Sequence, residues 1–361
     1  MPLAILGLGT ANPPGTVDQP ESLLIARALC DPVVGESSFL PGVYAGSGVT
    51  RRFQVVGRPV VDDLKAGTRT SGSPYLPGPD PLGPPTEVRM KMYADHAPPL
   101  AADAAAKALA DSGLSAVDVT HLVTVSCTGF VSPGLDFAVM TTLGLRPTVE
   151  RVQVGFMGCH GAINGLRAAL AFARDPNAVV LLAAVELCSL HYYYGTAADQ
   201  VVANALFADG AAAVVGRGRA DGWRVTATGS CLIPDSAGDM SWTIGDHGFE
   251  MGLSKRVPGM IEKHLRPWLE PWLAERGHTV ESVGSWAVHP GGPRILTAVE
   301  ECLRLPPDAL ADSRAVLAGY GNMSSPTVLF ILDRIRKRNA PRPVLLLGFG
   351  PGLVAEAALV E

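Results

Sequence analysis

One cysteine stands where a chain can make a nucleophile. The run Val152-Gln153-Val154-Gly155-Phe156-Met157-Gly158-Cys159-His160-Gly161-Ala162 reads as a strand that ends, a sharp turn marked by two glycines, and a helix that begins at Cys159. Free N–H groups and the dipole at a helix start favour negative charge, so a thiol placed there loses its proton more readily. Glycines on either side let a substrate carbonyl approach the backbone. This is the setting for covalent catalysis by a thiolate; the competing reading is a buried structural cysteine. His160 is adjacent, but residues one apart on a helix do not face each other, so it is set aside as the base.

Two further segments carry polar groups suited to such a thiol. Trp286-Ala287-Val288-His289-Pro290-Gly291-Gly292 puts a histidine at the carboxyl end of a strand, where α/β sheets bind ligands, and the glycine pair leaves room beside it. A histidine bonded at a strand edge reads equally well there. Gly319-Tyr320-Gly321-Asn322-Met323-Ser324-Ser325-Pro326 is a tight polar loop feeding a helix, with Ser325 a good cap and Pro326 a good first residue. Taken alone, Asn322 is better read as a turn residue at an unusual backbone angle. Gly348-Phe349-Gly350-Pro351-Gly352 follows a strand but opens no helix, so it is a rigid loop and not a dinucleotide fingerprint. The chain has no G-x-S-x-G elbow, phosphate loop or H-E-x-x-H.

The elements that must hold these groups alternate. Strands are predicted at Leu3–Gly9, Val119–Val125, Val149–Val154, Val179–Val185 and Ala211–Val215, and helices at Glu21–Ala28, Leu100–Ser112, Leu135–Leu143 and 159–173. Gly57 to Pro85, dense in Gly, Pro, Ser and Asp, reads as a long loop. A second series follows. Its strands are Arg224–Thr228, Trp286–Val288, Val344–Leu347 and Ala355–Val360. Its helices are Pro258–Leu273 (interrupted at Pro267 and Pro271), Ile295–Leu303 and Pro326–Arg338. Such alternation predicts an α/β fold with mainly buried sheets. The chain is expected to divide near 218–222 into halves 1–220 and 221–361 of one type.

With 47% hydrophobic and 17% charged residues the 361-residue chain has apolar material for a large core and too little charge for disorder. A net charge of −5 argues against a nucleic-acid partner. The six cysteines form no C-x-x-C pair and no zinc spacing, so neither a metal site nor a disulfide framework is expected. The start does not read as a signal peptide, and the longest apolar stretch, Ala178 to Val185, is too short to insert in a membrane. A cytoplasmic protein is expected.

Taken together, the motifs resemble the type III polyketide synthases, the chalcone- and stilbene-synthase-like branch of the thiolase superfamily. The likeness rests on Met157-Gly158-Cys159, His289-Pro290-Gly291-Gly292-Pro293, Gly321-Asn322-Met323-Ser324-Ser325, Gly348-Phe349-Gly350-Pro351-Gly352, Ala205-Leu206-Phe207-Ala208-Asp209-Gly210 and Arg256-Val257-Pro258-Gly259, in order along the chain. It implies a duplicated αβαβα layered sandwich of mixed, largely buried sheets, and a homodimer. It implies that Cys159 carries the acyl chain, that His289 pairs with its thiolate and lowers its pKa, and that His289 and Asn322 stabilise the enolate of malonyl-CoA. An acyl-CoA starter and malonyl-CoA are the implied substrates, with no metal or redox cofactor. Phe207 matches an aromatic gatekeeper. Met251 stands where plant-type enzymes carry Phe, hinting at room for a longer acyl chain, and an alkylpyrone or alkylresorcinol product is the first expectation. Cys127, Thr128, Ser132 and Ser324 match cavity-lining positions, joined by Phe349, Gly291 and Gly292. Ser132 stands where the family places a Met that reaches into the neighbouring subunit. Arg51 and Arg52 could meet CoA phosphates, although a solvated basic pair is the blander reading. The rivals are a single-condensation ketoacyl-ACP synthase III, a Cys–His–Asn thioester hydrolase and a non-catalytic scaffold.

Overall fold

The computed structural model describes residues 1–34, 38–219 and 221–361. In chain order the elements are β1 (Leu3–Ala11), β2 (Thr16–Asp18), α1 (Gln19–Val34), α2 (Leu40–Ala45), β3 (Arg51–Phe53), α3 (Gly57–Ala66), α4 (Thr86–Ser112), β4 (His121–Ser126), α5 (Leu135–Leu143), β5 (Glu150–Gly155), α6 (Gly161–Phe172), β6 (Val179–Leu187), α7 (Ala198–Leu206) and β7 (Asp209–Gly218). The second half adds β8 (Arg224–Leu232), β9 (Met240–Gly245), β10 (Gly248–Leu253), α8 (Val257–Ala274), β11 (Ser285–Val288), α9 (Pro293–Leu303), α10 (Ala311–Tyr320), α11 (Thr327–Lys337), β12 (Val344–Gly350) and β13 (Val354–Val360).

Sheet topology reveals a duplication that no residue-level repeat displays. The strands run in the order β11-β12-β13-β8-β1-β7-β6-β4-β5. In the first half β1 pairs antiparallel with β7, β7 antiparallel with β6, and β6 parallel with β4. In the second, β8 pairs antiparallel with β13, β13 antiparallel with β12, and β12 parallel with β11. The two half-sheets meet where β1 and β8 pair, Leu3 opposite Val225 and Ala4 opposite Arg224. Ala220, within the expected boundary at 218–222, lies outside the described residues.

Helices α6 and α11 each pack against strands of both halves and so form a central layer. Their apolar faces, with Ala162, Ile163, Leu166, Val328, Leu329 and Ile331, share one core with Val123, Val125, Val180, Leu182, Leu346 and Ala358. The outer face of the first half-sheet is covered by α4 and α5, that of the second by α8 and α9. The result is the thiolase-like five-layered sandwich. Strand β6 is buried along its whole length, as its unbroken apolar run predicts.

Some local expectations are corrected. The segment Gly57–Pro85 is not all loop, because its first ten residues form α3. Helix α4 begins at Thr86, not Leu100, and runs through Pro98 and Pro99. Proline removes a helix bond and crowds the preceding turn; here Tyr93, Ala97, Leu100, Ala101, Ala104, Ala105 and Ala108 bury one face in the core and hold the helix together. Helix α8 is likewise continuous through Pro267 and Pro271. The helices α2, α7 and α10 and the β9–β10 hairpin were not foreseen.

Candidate active site

The nucleophile turn is built as its glycines suggest. After β5, Phe156 and Gly158 take positive φ (60° and 73°), and Cys159 sits on a 3-10 turn, Gly158–His160, that leads into α6. A side chain at Gly158 would meet Pro351 at 2.5 Å, so only glycine lets the loop after β12 close over the turn. His160 points elsewhere. Its Nδ1 is bonded to Asn164 Oδ1 (2.7 Å), and Asn164 donates to Glu356 (3.0 Å).

His289 follows the carboxyl end of β11, where its N–H donates to Leu347 O (2.8 Å) and extends the pairing with β12 by one residue. The ring is buried, and among the described residues neither Nδ1 nor Nε2 finds a hydrogen-bond partner. Buried polar atoms are almost always satisfied, so an unpaired imidazole facing a cavity is available to a ligand. Asn322 is pinned through its main chain. Its N–H donates to Leu206 O (2.9 Å), and its carbonyl accepts from Ala208 N–H (2.8 Å). Its Oδ1 accepts from Ser324 N–H (2.8 Å), and its side chain acts on the nearby Cys159 thiol to lower its pKa. Ser324 Oγ lies 3.6 Å from Cys159 Sγ and 3.5 Å from Cys127 Sγ.

Burial dominates the electrostatics of the site. Burial pushes the Cys159 thiol up to about 11, against the lowering bonds from Ser324 and Asn322. Burial also pushes the His289 imidazole down to about 3, with the neighbouring His160 acting in the same direction. Burial thus works against the lowered thiol expected from the helix start and an imidazolium partner. Each charge taken singly is disfavoured by removal from water, so proton transfer between the two has to form both charges together.

Cys159 lies where two chambers meet. The first, of about 480 Å³, is lined by Cys159, Phe207, Met251, His289, Gly291, Asn322 and Phe349, among others. The second, of about 340 Å³, adds Cys127, Thr128, Ser324 and Trp242. Phe207 and Met251 border both. Behind the second chamber a buried carboxylate, Glu186, accepts from Cys127 N–H (2.9 Å), Thr128 Oγ1 (2.8 Å), Ser325 Oγ (2.5 Å) and Cys127 Sγ (3.2 Å). Burial raises its pKa. A groove of about 990 Å³ adjoins the first chamber through Leu206, Leu253, Gly291 and Ile295, and includes Gly292, Lys255 and Arg294.

Three residues singled out in the sequence fall outside this arrangement. Ser132 is exposed in the loop before α5 and lines neither chamber of its own chain. Arg51 is exposed and bonded to Gly319 O (3.3 Å), away from the groove. Arg52 is completely buried and bonded to main-chain carbonyls, so it is not a phosphate ligand. A guanidinium held under a strand has no path to a solvated phosphate. An aromatic cluster of His191, Trp242 and Phe249, which walls a further cavity together with Phe207 and Met251, was missed; His191 stacks on Phe249 at 4.2 Å, and Trp242 meets both edge-on. The signal was present: Asp246-His247 between Gly245 and Gly248 joins two short strands.

Comparison with known proteins identifies the family. The family models for chalcone and stilbene synthases match residues 2–218 (N-terminal domain) and 224–361 (C-terminal domain). The 1,3,6,8-tetrahydroxynaphthalene synthase of Streptomyces peucetius subsp. caesius is 40% identical over 272 residues, covering 73% of this chain and 72% of that protein. The alpha-pyrone synthesis polyketide synthase-like Pks18 of Mycobacterium tuberculosis is 31% identical over 370 residues, covering 99% and 90%. The crystal structure of PKS-I from the brown alga Ectocarpus siliculosus superposes with a TM-score of 0.90 at 31% identity, covering 99% of this chain and 98% of that one. The chain belongs to the chalcone and stilbene synthase family and is a type III polyketide synthase, a condensing acyltransferase.

Proposed function

We propose that Cys159, His289 and Asn322 divide the reaction as follows. A starter acyl-CoA enters by the groove, and His289 takes the Cys159 proton as the sulfur attacks the thioester carbonyl. The C–S bond to CoA breaks, and the proton returns to the departing CoA thiolate. Malonyl-CoA then occupies the emptied groove. Its carboxylate leaves as carbon dioxide, and the electron pair stays behind as an enolate whose oxygen accepts hydrogen bonds from His289 and Asn322, a preorganised oxyanion site. The enolate carbon attacks the Cys159 thioester, a new C–C bond forms, and the Cys159 thiolate is released. The lengthened acyl-CoA passes back to the Cys159 thiolate with loss of CoA, repetition extends the chain, and ring closure gives a pyrone or phenolic product, the two ring types that the relatives' names describe. The free energy comes from thioester cleavage and loss of carbon dioxide, so the scheme uses no redox or metal cofactor.

The observation that carries this reading is the convergence of a buried thiol, an unpaired imidazole and a pinned amide on one cavity. Lys255 and Arg294 on the groove supply the positive charge for CoA phosphates that Arg51 and Arg52 do not. A homodimer fits the exposed Phe130, Phe137, Val152 and Met157 around the free edge of β5. Among the described residues Cys127, Cys159, Cys188, Cys231 and Cys302 form no disulfide, which suits the reducing cytoplasm. No helix among the described residues is long and apolar enough to cross a membrane.

The test is purified protein with radiolabelled malonyl-CoA and acyl-CoA starters from short to long, run beside Cys159→Ala. Labelled ring products that require Cys159 are expected. Acyl-CoA hydrolysis without malonyl incorporation, or extension only on an acyl carrier protein, would overturn the reading.

A further inference from the structure

Arg52 presents an unusual expense for the fold. Its guanidinium is wholly buried, and among the described residues no carboxylate forms an ion pair with it; Asp209 acts only at longer range. Burying a cation without a counter-charge is unfavourable unless hydrogen bonds satisfy it. The bonds are specific. Nη1 donates to Asn204 O (2.7 Å) and Phe207 O (3.1 Å), while Nη2 donates to Ala205 O (2.7 Å) and Gln19 Oε1 (2.6 Å). Three of the four acceptors are carbonyls at the end of α7, where a helix leaves its last C=O groups unpaired and its dipole negative. Arg52 is thus a buried cap reached from another element.

What the cap holds is the segment that holds the site. Leu206 O and Ala208 N–H are the two bonds that pin Asn322, and the Phe207 ring between them lines both chambers. The other flank is equally close. Gly321 has φ +76°, and a side chain there would lie 2.8 Å from Ala208 Cβ, 3.1 Å from Leu206 O and 3.3 Å from Arg52 Cβ. The loop carrying Asn322 therefore rests directly on Arg52 and on the segment that Arg52 ties down.

We propose that Arg52 is a positioning residue for this synthase: its four bonds fix Leu206–Ala208, and through that segment they set where the Asn322 amide and the Phe207 ring stand in the cavity. It touches no substrate. This inference rests on the role given above to Asn322 at the malonyl enolate. Displacement of a catalytic group by about 1 Å can cost on the order of 100-fold in rate. Arg52→Gln should therefore lower release of carbon dioxide from malonyl-CoA by about 10–100-fold. Acyl loading of Cys159, which does not use the Asn322 amide as an oxyanion donor, should stay within about 3-fold. Arg52→Lys keeps the charge but not the planar fork, and should fall between the two.

The experiment measures both partial reactions, carbon dioxide release from carboxyl-labelled malonyl-CoA and acyl-enzyme formation by mass spectrometry. The proteins are wild type, Arg52→Gln, Arg52→Lys, Asn322→Ala and the Arg52→Gln/Asn322→Ala double variant. A selective loss of decarboxylation that adds nothing further in the Asn322→Ala background supports the proposal. Equal losses in loading and decarboxylation, as from a smaller folded fraction, overturn it, as does a full multiplicative loss in the double variant. If Arg52→Gln yields no folded protein, the ratio of the two rates in Arg52→Lys decides by the same criteria. Should Asn322→Ala itself leave decarboxylation intact, the role assigned to Asn322 fails, and that failure is distinct from one confined to Arg52.

Discussion

Asn322 offers the sharpest test of how the site works, because the structure fixes which end of its amide faces the cavity. Oδ1 is occupied by Ser324 N–H at 2.8 Å. Flipping the amide would set its NH2 against that N–H, leaving a buried donor unsatisfied at a cost of about 1–3 kcal/mol. With the main chain pinned on both sides, the NH2 has one place to be, beside Cys159. Removal of one preorganised donor to a developing oxyanion costs roughly 100- to 1,000-fold, about 3–4 kcal/mol. Asn322→Ala should therefore slow malonyl-CoA decarboxylation by that factor while acyl loading of Cys159 persists. Asn322→Asp is the more demanding variant. It has nearly the same shape and can still accept from Ser324, but it turns a carboxylate oxygen toward the enolate. It should be slower than Asn322→Ala, measured as carbon dioxide released per enzyme over time. An Asn322→Asp enzyme faster than Asn322→Ala, or an alanine variant less than about 10-fold impaired, would refute the oxyanion argument.

Other expectations follow from the groove, the wall and the buried titratable groups. Lys255→Glu and Arg294→Glu should each raise KM for malonyl-CoA with little change in kcat, and should leave KM unchanged for a short pantetheine-like thioester without phosphates; steady-state kinetics with both substrates checks this. Met251 borders both chambers. Met251→Phe should narrow the space beside Cys159 and shift products toward fewer malonyl additions, read by mass spectrometry of the product mixture. His191 is buried, with its ring bonded to Thr128 O (2.8 Å) and Phe249 N–H (2.9 Å), and burial pushes its pKa down to about 3. The unfolded value is about 6.5, so this neutral imidazole contributes stability that is present above about pH 6.5 and lost as pH falls toward 3. His191→Phe should flatten the fall in unfolding free energy between about pH 6 and 4 by roughly 1.4 kcal/mol per pH unit. Urea melts that stay parallel to wild type across that window would count against it.

The sequence by itself determined the local chemistry. Glycines around Cys159 announce a strand–turn–helix because few other residues adopt positive φ, and Gly158 takes it at 73°. His289 at a strand end and the polar loop at Asn322 are legible for the same reason: pattern and turn chemistry act over a few residues. The unbroken apolar run of β6 predicted a strand buried on both faces. What only the tertiary structure decided is non-local. Proline in α4 and α8 argues for breaks, yet packing across a whole helix face outweighs the local bonds lost. Arg51 and Arg52 are neighbours in the sequence, but strand alternation sends one to solvent and the other beneath Phe207. Which became the buried cap depended on where α7 ended, 155 residues further along at Phe207. The thiol and the imidazole, each at the carboxyl end of a strand in a different half, meet because the duplicated halves bring those ends together around α6 and α11. No sequence period encodes that meeting, since it follows from the burial of two apolar helix faces between two sheets.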